Sequence, residues 1–193
     1  MTRSTMINGV DRQKLFGTIE AIKATPSLAG FQFRVFNQWV EGGENRSRID
    51  DYYGAGEEMR HATPFFLVND EPPVLLSGDK APNPVEYVLH ALAGCLTTSL
   101  VYHAAAHGIA VKSLTTRFEG DLDLRGFLGL SNDVRRGFSN IRAVFDLDAD
   151  CDEAKKQELV AMAQAHSPVF DIVSNGLPVS CMLGASARRP AAA

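Results

Sequence analysis

Three cysteines, Cys95, Cys151 and Cys181, have the most chemistry to offer in this chain. A thiol attacks only as its thiolate, and a free cysteine with a pKa of about 8.5 is ionised to a few per cent at neutral pH. Lowering that value by about two units requires roughly 2.7 kcal/mol in favour of the anion. A helix N-terminus helps only within its first turn, so a thiol deeper in a helix needs a cation beside it. Arginine suits that task because it stays charged when desolvated. The cysteine number is odd and no CxxC pair occurs, so a disulfide framework, a zinc ribbon and a thioredoxin-type motif find no support. Each cysteine is either a small core residue or a reactive thiol.

Other chemistry-bearing residues are fewer. His103 and His107 are spaced i, i+4, which puts both on one helix face. HAAAH has the spacing of a zinc pair but lacks the glutamate of a metalloprotease helix, and a third ligand would have to come from elsewhere. Asp121 and Asp123 alternate in a strand-like stretch and are either paired acids or a solvated strand face. Gly126 and Gly129 do not follow a phosphate-loop pattern.

Cys95 lies in the segment with the strongest local signals. Asn83, Pro84 and Glu86 form a capping-box-like helix start. Val85, Val88, Leu89, Leu92, Leu96, Leu100, Val101 and Ala104 then recur at helical spacing, and Gly108 is a natural terminator. This helix is apolar nearly all round, which predicts protein on both sides of it. A short amphipathic helix is expected over 12–23, with Leu15, Ile19 and Ile22 on one face. Strands are expected over 31–40, 45–53, 61–70, 110–124, 140–147 and 177–183, joined by Gly and Pro turns. A second helix should run from Asp150 or Asp152 to about His166, with Leu159, Met162 and Ala163 inward and Pro168 stopping it. The Ala-rich tail after it is expected to be disordered.

At 193 residues, with 45% hydrophobic content, the chain suits one globular domain with an N-terminal extension. A net charge of −4 and the lack of a clustered basic face argue against nucleic-acid and acidic-membrane partners. Met1 to Val10 has no apolar run like that of a signal peptide. Residues 88–106 include His90, Thr97, Thr98, Ser99, Tyr102 and His103 and read as a buried helix, not a membrane span. The cytoplasm is the expected location.

The run Pro82-Asn83-Pro84-Val85-Glu86 leading to Ala91-Leu92-Ala93-Gly94-Cys95 resembles the central-helix signature of the OsmC/Ohr family (osmotically inducible protein C-like and organic hydroperoxide resistance-like). Further matches follow in order and spacing: Asp70-Glu71-Pro72, Glu119-Gly120-Asp121-Leu122-Asp123 and His166-Ser167-Pro168-Val169. The resemblance implies an α+β fold, with antiparallel sheets from two chains wrapped around long central helices as an intertwined homodimer. It would occupy residues 31–183, with a helical extension over 1–30 and a disordered tail over 184–193.

Active members of such a family are thiol peroxidases of the antioxidant stress response. They reduce organic hydroperoxides without a cofactor. By the resemblance, Cys95 matches the attacking thiol, and Glu86 matches the helix-start glutamate or serves only as a cap. Arg46 or Arg48 stands in the region of the activating arginine. The position of the family's second cysteine holds Ser167, and a hydroxyl cannot resolve a sulfenic acid to a disulfide. Cys151 or Cys181 could replace it only with its Cα within about 7 Å of that of Cys95. The resemblance therefore leaves two readings. One is a one-cysteine oxidoreductase that uses an external thiol reductant, and the other is a non-catalytic dimer that binds a small apolar ligand in its interface cleft.

Overall fold

The computed structural model describes residues 6–184. Its order is a hairpin of β1 (Met6–Ile7) and β2 (Val10–Asp11), helix α1 (Arg12–Ala24), then strands β3 (Gln32–Phe33), β4 (Phe36–Glu41), β5 (Glu44–Gly54) and β6 (Glu57–Asn69). The long helix α2 (Pro84–Ala106) follows, then β7 (Val111–Asp121), α3 (Leu124–Phe127), β8 (Asn140–Ala149), α4 (Glu153–His166) and α5 (Pro168–Ser174). The class is α+β, as the sequence predicts.

The first sheet is antiparallel, with β5 between β6 on one side and β3 and β4 on the other. The expected single strand over 31–40 is split at Arg34 and Val35, opposite an irregularity of β5 between Ile49 and Asp51, and Arg34 pairs with Asp51 and Glu58. The second sheet is the β7–β8 pair, running from Val111↔Ala149 to Asp121↔Asn140 with one register shift between Val111 and Ser113. Gly120 is required there: a Cβ would meet the Phe138 ring at 2.5 Å.

α2 starts at the capping box expected from its sequence. Asn83 Oδ1 accepts from Glu86 N, and Glu86 Oε2 accepts from Asn83 N. It ends at Gly108, whose φ of +76° is a conformation glycine adopts without strain. Leu92, Leu96, Leu100 and Ala104 form its buried stripe and meet Leu159 and Ala163 of α4, Ile109 and Ala149. Met162, expected among the inward residues of α4, is only half-buried. α2 is long and apolar enough to cross a membrane by length and composition, but it packs here against β7, α4 and α5.

The expected cover on both sides of α2 is half met within one chain, and the expected last strand needs correction. Within one chain α2 is covered on one side only: Val88, Ala91, Gly94, Thr98 and Tyr102 face outward, and a Cβ built on Gly94 meets nothing within 4 Å. Periodicity records that a face is apolar but not which chain covers it. Residues 177–183 form no strand, although Leu177, Val179 and Leu183 alternate; they are exposed and unpaired. A strand needs a neighbour for its ladder bonds, and none lies beside this segment. The expected disordered tail falls, beyond Gly184, outside the described residues.

The N-terminal extension is more than a helix. Asn8 Nδ2 donates to Ile109 O at 3.0 Å, and Asn8 Oδ1 accepts from Val111 N at 2.8 Å. Arg12 Nη2 donates to Ala106 O at 3.1 Å, so the extension caps the carbonyl end of α2.

Candidate functional site

Cys95 lies about three turns into α2 and is half-buried. The chain returns to it at the junction of α4 and α5. Pro168 cannot continue the helix that ends at His166, and it forces the preceding residue into an extended conformation. Ser167 accordingly has φ −83° and ψ 114°. The same Pro168 is well suited to the first position of a new helix, and Ser167 caps it by accepting from Phe170 N at 3.1 Å. The Ser167 side chain is thereby turned inward, with only 2% of the residue exposed, and its Oγ donates to Cys95 Sγ at 3.1 Å.

The other expected site residues lie elsewhere. Glu86 completes the cap of α2, nine positions and about 13 Å of helical rise before Cys95. Arg46 and Arg48 stand on β5. The first donates to Glu44 Oε1 at 2.8 Å and the second pairs with Asp50. Cys151 packs against the core at the start of α4, and Cys181 is exposed after α5. All three cysteines are free thiols.

Among the described residues, no three His, Cys, Asp or Glu side chains converge as a metal site. His103 instead faces His166, with ring centroids 4.8 Å apart, and the His107 ring nitrogen meets the His103 carbonyl at 2.8 Å. Burial pushes the His103 imidazole below its usual pKa, and the neighbouring His166 and His107 add to the shift. Asp121 and Asp123 are not a pair of catalytic acids. Asp121 pairs with Arg142, and Asp123 caps α3 and holds Arg125. Both carboxyls lie below the usual aspartate range because these arginines donate to them.

Between α2, β8, α4 and α5 lies a cavity of about 640 Å³, which neither Cys95 nor Ser167 lines. Its walls are Val85, Val88, Leu92 and Leu96 of α2, Ile141 and Phe145 of β8, Val160 of α4 and Phe170, Ile172 and Val173 of α5, with Arg135 as its one charged lining residue. The α5 wall was missed in the sequence, where Pro168 reads only as a stop. Ser before Pro is also a start signal, a capping residue followed by the favoured first helical residue.

Asp70, singled out in the sequence only within the Asp70-Glu71-Pro72 match, anchors a loop. It is 1% exposed and binds Ser77 Oγ, Glu71 N and Lys80 N. Those bonds, with the Ser77 hydroxyl contributing most, hold its carboxyl at about 2. Lys80 Nζ then reaches buried Glu44 at 2.9 Å, so the loop before α2 is tied to the β4–β5 hairpin.

A family model described as OsmC-like protein matches residues 77–182, just over half of the chain. An OsmC-like protein from Mycoplasma pneumoniae has a similar structure, with a TM-score of 0.58, 14% identity, and coverage of 75% of this chain and 89% of that one. A protein from Psychrobacter arcticus whose description concerns osmotic stress induction and detoxification gives a TM-score of 0.53 at 13% identity, covering 71% of this chain and 85% of that one. No curated protein matches the sequence.

Proposed function

From the premise that this chain belongs to the OsmC-like protein family, we propose that it reduces organic hydroperoxides through Cys95, with an external thiol completing the cycle. The observation that carries the reading is the half-buried thiol on α2 with a buried hydroxyl donating to its sulfur. The Cys95 thiolate attacks the terminal peroxide oxygen. The S–O bond forms, the O–O bond breaks, and the alkoxide leaves and takes a proton from water. Sulfur is oxidised by two electrons to sulfenic acid. Because Ser167 cannot supply a second sulfur, an external thiol attacks the sulfenic acid and releases water. A second thiol then exchanges into the mixed disulfide and restores Cys95.

The working unit in this proposal is a homodimer. In a single chain Phe33, Phe36, Trp39 and Phe66 of the first sheet are 67–76% exposed, and the outer face of α2 is open. Patches of this kind mark interaction surfaces. Each sheet would cover the partner's α2, and this would bring Arg46 or Arg48 of one copy towards Cys95 of the other and leave both sites at the interface. A free-thiol chemistry of this kind fits the reducing cytoplasm.

The test is consumption of cumene hydroperoxide and of hydrogen peroxide by the Cys151→Ser, Cys181→Ser protein with dithiothreitol as reductant. The expected result is faster turnover of the organic peroxide, abolished by Cys95→Ser. Consumption that survives Cys95→Ser would remove the proposal.

The cavity favours one second reading, a dimer that holds a small apolar ligand without redox chemistry. Its walls are mainly aliphatic and aromatic, and its volume falls in the range of small-molecule sites. It predicts a ligand recovered by organic extraction of the purified protein, together with a Cys95 that resists alkylation in the native state.

A further inference from the structure

We infer, resting on the reading that Cys95 is the reacting thiol, that Ser167 is a working catalytic residue and not only the place where a second cysteine is missing: its hydroxyl hydrogen-bonds the Cys95 sulfur and stabilises the thiolate that attacks the peroxide. The hydroxyl has few other uses available to it. The residue is 2% exposed, so water does not compete for the proton. Its oxygen already accepts the Phe170 N–H at 3.1 Å, which orients the O–H along the remaining direction, onto Cys95 Sγ at 3.1 Å. The oxygen is fixed from both sides, by the end of α4 and the start of α5.

Among the described residues of one chain, this is the hydrogen bond the structure gives the Cys95 sulfur. A neutral O–H···S contact becomes charge-assisted once the sulfur is an anion, and such bonds are roughly twice as strong as neutral ones. The stabilisation therefore favours the reactive state over the resting thiol. Ser167 keeps its proton throughout. The electron pair comes from sulfur, the departing alkoxide is protonated by water, and the Ser167 hydroxyl stays beside the sulfur as it passes from thiolate to sulfenic acid. The external thiol then meets a sulfenic acid held in place by a donor, with no internal sulfur to intercept it.

The experiment compares wild type, Ser167→Ala, Ser167→Thr and Ser167→Cys, all with Cys151→Ser and Cys181→Ser, by native-state alkylation of Cys95 with iodoacetamide from pH 5 to 10. Removing a donor to a charged group should slow alkylation at pH 7 by roughly tenfold or more and move the alkaline limb of the profile to higher pH, with threonine restoring the wild-type behaviour. A purely structural role would not move the profile. An Ala variant that alkylates at the wild-type rate with the wild-type profile overturns the inference.

Ser167→Cys keeps the experiment decisive if the Ala variant does not fold. One equivalent of diamide, which takes two electrons from a pair of thiols without any peroxide chemistry, should close a disulfide from Cys95 to the introduced thiol, seen by mass spectrometry, and absence of that bond in a folded protein would overturn the contact itself. Alkylation does not depend on peroxide. A protein that consumes no hydroperoxide but shows the Ala effect therefore loses the peroxidase reading and keeps the Ser167 contact. Unchanged alkylation in a protein that does consume peroxide has the opposite meaning.

Discussion

The two halves of the molecule treat their apolar residues differently. In the C-terminal half, Leu96, Leu100 and Leu159 are 0–2% exposed and one chain completes the core. In the N-terminal sheet, Phe36 and Phe66 both stand opposite Arg48 on one face, while Phe65, opposite Ile49, points to the other. Phe36, Phe65 and Phe66 are 52–73% exposed. An antiparallel sheet with one wet side alternates apolar and polar residues; this sheet exposes aromatic rings on both sides. One half has finished its core behind the inner face of α2, and the other is held in shape by polar ties, the Arg34 pairs and the Asp70–Lys80–Glu44 chain, with its apolar surface still open.

The largest effect should come from the finished half. Leu100 is 0% exposed, and Leu100→Ala should cost about 2–5 kcal/mol, the transfer loss plus the cavity left behind. Urea denaturation measures it. A loss below about 1 kcal/mol would mean that the helical core collapses freely and that the contrast between the halves is not real. The corresponding change in the open half, Phe66→Asp, should act on assembly. If a second copy covers that face, a charge placed there is buried without a partner, and sedimentation velocity should show dissociation to a folded monomer. An unchanged sedimentation coefficient would leave the sheet open to solvent and break the comparison from the other side.

Asp70 links the halves, and acid should cut the link. Its carboxyl sits at about 2 in the fold, against an ordinary value of 3.8. A depressed carboxyl contributes its stabilisation above the unfolded pKa and loses it as pH falls through the folded one. The contribution is whole above about pH 4 and fades between about 4 and 2. Asp70→Asn should flatten that acid limb in thermal melts and lower the melting temperature at neutral pH. An unchanged limb would assign acid sensitivity to other groups, such as Glu44, which Lys80 and Arg46 also hold below the usual glutamate range.

What was legible in the sequence follows the same division. Local signals located α2, its cap at Asn83 and Glu86 and its terminator at Gly108, because caps and left-handed turns are decided by a few neighbouring residues. The β5, β6, β7 and β8 strands fall where strands were expected, over 45–53, 61–70, 110–124 and 140–147. The break at Arg34 was not, because it lies opposite an irregularity of β5 between Ile49 and Asp51, and strand register is set by the neighbouring strand. Residues 177–183 alternate as a strand should, yet lie unpaired, since pairing is a property of the neighbour. Motif order placed Cys95 and Ser167 in one site. The 3.1 Å contact between them is set by a turn at Pro168 that brings two distant helices together, and spacing alone carries no such distance.

The smallest predicted effect addresses Glu86, where a capping role and a chemical role overlap. Asn83→Ala removes the cap acceptor at the start of α2 and should cost about 1 kcal/mol. Glu86→Gln keeps an oxygen for the Asn83 N–H and loses only the charge near the helix N-terminus, worth about 0.3–1 kcal/mol. If Glu86 is only a cap, both variants lower stability slightly, and alkylation of Cys95 and peroxide turnover are unaffected, since about 13 Å of helix separates the residue from the sulfur within one chain. If Glu86 instead holds an arginine supplied across a dimer interface, Glu86→Gln slows turnover well beyond its stability cost, and Asn83→Ala does not. Urea midpoints and turnover measured on the same two proteins separate the cases. A loss confined to Glu86→Gln would join the capping end of the finished half to chemistry that the open half completes from another chain.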